Sequence, residues 1–255
     1  MSEVTFEVVQ GITGIDFLNT GKNHEHFSRP LYHGTRKRAL EASEEERKRT
    51  SQAARHILSF VRDHWQEYFS NDSLAYFQSH NRDLTYFCDP SILVFGQLSN
   101  FSYGDFYLTT SLGNAAAFAK TRGGELLEMA YDNARGLQRL AIPIEDNSLQ
   151  ADLALVLKEA ALYEASPKVI LVFEKVAFVD LLDEKGDELP LDPDFLDDLL
   201  DFLYLENGHC SVAYNYRLKK DHKPYLAKLL QGPTLEEAFQ RVYGCDSEAY
   251  DKKYR

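Results

Sequence analysis

The sequence predicts an α+β fold, and three observations lead there. The segment Lys168–Val179 (Lys-Val-Ile-Leu-Val-Phe-Glu-Lys-Val-Ala-Phe-Val) is rich in β-branched and aromatic residues, the composition of a buried strand. Ser51–Ser70 places Ile57, Leu58, Val61, Trp65, Tyr68 and Phe69 on one face at helical spacing. No internal repeat and no Gly/Ser- or Pro-rich linker divides the 255 residues, so a single domain over 1–255 is the economical organisation.

The elements follow in order. Val4–Gln10 alternates weakly as a strand does, and Gly11–Arg29 is a polar, Gly-containing loop. Pro30–Thr35 is a short strand ending at glycine, and Arg36 to Thr50 is a solvated helix or loop. After the helix at Ser51–Ser70, Asn71-Asp72-Ser73 is the stop. Residues 74–105 are rich in aromatics and support one assignment, a strand at Ser91–Phe95. Asp105–Thr110 is a strand, and Ser111 or Thr110 can cap a small-residue helix over Asn114–Lys120 that ends at Gly123-Gly124. Helices are expected at 125–137 and 151–165. The strand at Lys168–Val179 comes next, then an acidic stretch, Asp180 to Glu206, with eleven acids and one lysine. Its Phe195, Leu196, Leu199, Leu200, Phe202 and Leu203 read as a short helix with one apolar face. Ser211–Leu218 reads as a strand, and Pro224–Leu230 and Thr234–Val242 as helices. The core thus spans about 30–220, with a helical segment over about 221–255.

Lys+Arg is 28 and Asp+Glu is 40, a net charge of −12. Broad nucleic-acid coats and anionic-membrane binders rely on clustered positive charge, so both are disfavoured. A nucleic-acid substrate held at a local basic patch stays open. Cys88, Cys210 and Cys245 are odd in number and form no CxxC, against a disulfide scaffold or a thiolate zinc site. Residues Met1 to Gly11 carry Glu3 and Glu7 and lack the apolar run of a secretory signal. No window approaches 18 apolar residues, so no membrane span is expected. The expected setting is cytoplasmic, or that of a secreted effector acting in a host cytosol.

Two motifs carry the chemistry. The first is Leu31-Tyr32-His33-Gly34-Thr35. The second is Tyr103-Gly104-Asp105-Phe106-Tyr107-Leu108-Thr109-Thr110, followed by Asn114-Ala115-Ala116-Ala117-Phe118-Ala119. In this order they resemble the ADP-ribosyltransferase fold, in its diphtheria-toxin and poly-ADP-ribose-polymerase branch with a His-Tyr-Glu triad. In that family a strand ending Tyr-His-Gly-(Ser/Thr) precedes a Gly-x-Tyr strand and a small-residue helix with a second aromatic. Here the second aromatic, Phe118, lies eleven residues after Tyr107, a spacing similar to the family's. The segment Tyr103–Tyr107 is one residue shorter than the family's Tyr-Gly-x-Gly-x-Tyr. The likeness extends to small bacterial effector and toxin domains sharing His-Gly-Thr and Phe-Tyr-Leu-Thr-Thr. It covers about 25 residues directly and implies a split β-sheet core with flanking and inserted helices.

The resemblance implies an NAD-dependent transferase that cleaves the nicotinamide–ribose bond and moves ADP-ribose to an acceptor, by default a protein side chain. His33 would bind the adenosine ribose hydroxyls. The Gly34 backbone would pair with the nicotinamide carboxamide, where a larger residue would block approach. Thr35 would add a hydroxyl contact, and Ser111 would support the loop. Tyr107 would stack on nicotinamide, with Phe118 closing the other side. Arg36, in the cluster Arg36-Lys37-Arg38, either is solvated or meets the pyrophosphate, since guanidinium matches phosphate geometry. No metal is implied.

The family's third residue is a glutamate at the start of a late strand, where it stabilises an oxocarbenium-like transition state. The nearest acid before Ser211–Leu218 is Glu206, the first choice; Glu174 and Glu236 or Glu237 follow. Strict alignment on the strand instead places His209 or Asn207 there. Three other groupings are set aside. His24-Glu25-His26 lacks a third metal ligand nearby, Glu164 with Glu174 is one of many carboxylate pairs, and Cys88 reads as a buried thiol. The rival functions are an NAD glycohydrolase, a nucleic-acid-directed transferase, an RNA 2′-phosphotransferase and an acidic protein-binding module docking through 180–206.

Overall fold

The computed structural model describes residues 5–8, 25–27, 29–68, 106–121, 123–139, 143–183, 186–190, 214–219 and 225–254. It is a mixed α+β structure whose chain divides into two compact units. One comprises Met1–Thr35, Gly104–Lys120 and Pro167–Arg255; the other comprises Arg36–Tyr103 and Thr121–Ser166.

The first unit carries the sheet. Its strands are β1 (Thr5–Val8), β2 (Leu31–Arg36), β3 (Phe106–Thr109), β4 (Lys168–Phe173), β5 (Leu181–Leu182), β6 (Asn215–Leu218) and β7 (Leu226–Leu230), the last residue of β2 passing into the other unit. Across the sheet the order is β1-β7-β4-β2-β3-β6-β5. β1 runs parallel to β7, while β7 with β4, β2 with β3, β3 with β6 and β6 with β5 are antiparallel.

Alternation along the strands gives the sheet two buried faces. Tyr32, Ile170, Val172 and Leu230 meet helices α3 (Leu112–Phe118) and α6 (Pro233–Tyr243) through Leu112, Ala115, Ala116, Leu235, Ala238 and Phe239. The other face is aromatic. Phe27 lies 4.5 Å from Phe178 and 5.3 Å from Tyr216, centroid to centroid, and Phe106 meets Phe173 edge-on at 5.7 Å. A last helix, α7 (Ser247–Tyr254), is capped by Asp246, which accepts from the Ala249 N–H, while Glu236 of α6 accepts from the Ser247 N–H and Oγ.

The second unit is helical: α1 (Lys37–Glu41), α2 (Glu44–Tyr68), α4 (Glu125–Arg139) and α5 (Asn147–Ala165). Ala53, Ala54, Ile57, Leu58 and Val61 of α2 bury against Leu127, Ala130, Ala134 and Leu137 of α4 and Leu149, Leu153 and Val156 of α5. A capping box starts α2: Ser43 Oγ accepts from the Glu46 N–H at 3.2 Å, and Glu46 accepts from the Ser43 N–H at 2.8 Å. Asp146 caps α5, its carboxylate accepting from the Ser148 and Leu149 N–H groups.

Several expected elements change. Pro224–Leu230, expected helical from its leucines, supplies strand β7, because β1 and β4 bond it on both edges and that pairing outweighs helix propensity. The strand expected over Lys168–Val179 ends at Phe173; Lys175 adopts φ 54°, and Phe178–Asp180 forms a 3₁₀ turn. The late strand begins at Asn215 within the described residues. Arg36 to Thr50 holds α1 and the first turns of α2. His26 bridges Ala177. His24, Cys88, the strand expected at Ser91–Phe95, the helix expected over residues 195–203, His209 and Cys210 lie outside the described residues. Cys245 is a free thiol. Among the described residues, no helix is long and apolar enough to cross a membrane, and no three His, Cys, Asp or Glu residues are grouped to hold a metal.

Candidate functional site

Strands β2 and β3 register a single pair, Tyr32 with Thr109. Two residues after Tyr32 and two before Thr109 stand Gly34 and Tyr107. There the Tyr107 carbonyl is taken by the His33 side chain, with Nδ1 at 2.7 Å. A carbonyl only accepts, so Nδ1 carries the proton and donates it. Burial pushes the His33 pKa below the ordinary imidazole value, outweighing the upward pull of that hydrogen bond. The ring is therefore neutral at pH 7, and its Nε2 is an acceptor. Phe106 stacks on it with centroids 4.0 Å apart.

His33 and Tyr107 share this bond, yet their side chains stand on opposite faces. His33, Thr35 and Phe106 project to one side; Tyr107, Thr109 and the Cα–H of Gly34 facing α3 project to the other. The aromatic pair singled out in the sequence is exposed: Tyr107 keeps 38% and Phe118 43% of its surface in solvent. By contrast Phe27, Phe173, Phe178 and Phe239 are buried. Arg217 of β6 pairs in register with Tyr107 and holds its guanidinium 5.4 Å from the ring centroid.

Gly34 answers to the helix. A Cβ there would sit 1.6 Å from the Ala115 carbonyl oxygen, so only glycine lets α3 lie this close to β2. The turn between β3 and α3 is a run of buried hydroxyls, each with a partner. Thr109 Oγ1 accepts from Asn114 Nδ2 at 3.2 Å, Thr110 Oγ1 from the Tyr214 N–H at 3.0 Å, and Ser111 Oγ from the Asn114 N–H at 3.2 Å. Ser111 is thus the helix N-cap. From α6, the Tyr243 hydroxyl accepts from the Gly113 N–H at 3.0 Å, and burial pushes its pKa up to about 12. The ring of Tyr250 lies over Gly113.

The remaining expected residues separate. The Arg36 guanidinium donates to the carbonyls of Ser166 at 2.9 Å and Thr121 at 3.4 Å, ties within the helical unit. Arg38 bonds Glu46 and the buried Glu159, and Lys37 pairs with Glu41. The basic cluster after His-Gly-Thr thus finds carbonyl and carboxylate partners within the helical unit. Glu174 pairs with Lys228 at 2.7 Å, Glu237 is exposed, and Glu206 lies outside the described residues. Beside β3, the face of β6 that Tyr107 and Thr109 share carries Asn215, opposite Thr109, and Arg217, opposite Tyr107. Asn114 and Asn215 escaped the sequence reading. The signal that could have found them is their polarity next to an otherwise apolar strand and small-residue helix.

A cleft of about 540 Å³ opens between α3, α6 and α7, lined by Ala116, Ala119, Lys120, Glu236 and Asp251 among others. Within it Lys120 pairs with Asp251, and Glu236 accepts from the Ser247 N–H. His33, Gly34, Tyr107 and Phe118 do not line it. No protein-family profile, no curated protein and no solved structure matches the chain.

Proposed function

We propose that this chain is an NAD-dependent ADP-ribosyltransferase that transfers ADP-ribose to a protein acceptor and releases nicotinamide. The observation that carries this reading is the His33–Tyr107 junction. There the β2–β3 ladder stops after one pair, a neutral imidazole presents an acceptor on one face, and an exposed tyrosine ring lies on the other. His33 Nε2 accepts from a ribose hydroxyl, and Tyr107 stacks on the nicotinamide ring, with Phe118 as the second aromatic. Glu206 is the acid assigned to the developing ribose cation.

A second reading, an NAD-binding module without turnover, is favoured by one observation: the strand beside Tyr107 offers a carboxamide and a guanidinium on that face and no carboxylate. Incubation with labelled NAD and a cell lysate separates the two. Transfer leaves label that survives nuclease and disappears with protease. A glycohydrolase releases free ADP-ribose at the same rate with or without lysate. A module binds NAD and releases no nicotinamide. Glu206→Gln should lower transfer by roughly 10²–10³ while NAD affinity stays within a few-fold, the loss expected for one preorganised electrostatic group.

A further inference from the structure

Asn114 joins β3, α3 and β6, and the proposed chemistry leaves it without a role. Its Nδ2 donates to Thr109 Oγ1 at 3.2 Å and to Asn215 Oδ1 at 3.0 Å. Both amide hydrogens are committed, so the remaining hydrogen-bonding capacity of the group is the lone pairs of Oδ1. The side chain is half-buried rather than sealed. Asn114 precedes Phe118 by one helical turn, so the two share a face of α3. Its partner Thr109 shares a sheet face with Tyr107. An acceptor-only group is therefore held on the side of the sheet that carries the exposed aromatic Tyr107, on the same face of α3 as Phe118.

We propose that Asn114 determines specificity for an aromatic primary carboxamide. Its Oδ1 accepts one N–H of the ligand amide while the attached ring lies against Tyr107. The inference rests on the NAD-binding reading and adds to it the discrimination of nicotinamide from nicotinate. A carboxylate in the same place has no N–H to give and turns an acceptor oxygen toward Oδ1, leaving both unsatisfied. The Thr109 and Asn215 bonds matter because both are made by the amide nitrogen, which leaves Oδ1 as the atom that faces a ligand.

The test is calorimetric titration of the full-length protein with NAD and with its nicotinate analogue, deamido-NAD. Wild type should favour NAD by about tenfold or more. Asn114→Leu, similar in size but apolar, should bring the two affinities to within about threefold of each other by weakening NAD. Asn114→Asp should keep the preference, since its outer oxygen still accepts and now also repels a carboxylate. The other oxygen can accept from the Thr109 hydroxyl and a turned Asn215 amide. Melting curves for both variants confirm that the fold is retained. A preference that persists in Asn114→Leu overturns the assignment and leaves the NAD reading standing, as does a wild type that binds both dinucleotides equally. Binding of neither dinucleotide to wild type overturns the assignment together with the NAD reading.

Discussion

The His33 imidazole donates from Nδ1 to the backbone carbonyl of Tyr107 at 2.7 Å, tying residues 74 apart in the chain at the point where two strands cease to pair. One bond thereby sets the tautomer, and with it what Nε2 can offer a ligand.

NAD affinity should fall on the acid side. Protonation turns Nε2 from acceptor to donor, and desolvation holds the His33 pKa below its ordinary value, so the loss occurs below about pH 6.5. Stability has the same sign. Between the lowered folded pKa and the unfolded value the unfolded chain binds the extra proton, so stability rises with pH across that window and is full above it. His33→Asn places an amide N–H where Nδ1 was and removes the Nε2 acceptor. It should abolish the acid limb of binding in a pH titration and shift the melting temperature little.

Tyr107→Phe and Tyr107→Ala separate the ring from the hydroxyl. The ring is exposed, so neither change should alter the thermal melt appreciably. Stacking beyond area burial contributes roughly 0.5–1.5 kcal/mol. Tyr107→Phe should therefore hold NAD affinity within a few-fold, whereas Tyr107→Ala should weaken it by tenfold or more. Equal losses would assign the effect to the hydroxyl.

Gly34→Ala should cost about 3 kcal/mol in a denaturant melt, because the new Cβ meets a helix carbonyl that can move only with its helix. Gly113→Ala meets the Tyr250 ring instead, a side chain that can swing aside. Its cost should be smaller, about 1 kcal/mol. A Gly34→Ala protein with an unchanged melt would return that glycine to a ligand-contact role.

The capping box at the start of α2 is open to test independently of any ligand. Ser43→Ala should lose about 1 kcal/mol. The Ser43 N–H, aided by Arg38, holds the exposed Glu46 carboxyl down at about 2. Its stabilising effect is therefore complete above the ordinary glutamate value and fades as pH falls toward 2. Glu46→Gln should flatten that part of the pH–stability curve.

Much of the architecture was legible because it is local. The apolar stripe at Ile57, Leu58 and Val61, the buried run Val169–Phe173 and the serine cap at Ser111 each express a short-range rule that acts within one or two turns. The capping box at Ser43–Glu46 was equally local; attention to Ser-x-x-Glu would have started α2 at Glu44 rather than Ser51.

What the sequence by itself determined, then, is the set of elements whose periodicity or capping is complete within their own residues, and the order in which His33, Tyr107 and Phe118 occur. Tertiary structure decided the rest. Leu226–Leu230 is a strand because two neighbours bond its backbone, a fact invisible to leucine propensity. The Arg36 guanidinium donates to the Ser166 and Thr121 carbonyls, partners far along the chain. His33 and Tyr107 stand on opposite faces because one cross-strand register, Tyr32 with Thr109, sets the parity of both strands. Asn215 and Arg217 reach the Tyr107 face by pairing across more than a hundred residues. Each of these outcomes is a long-range pairing whose partner leaves no mark on the local sequence.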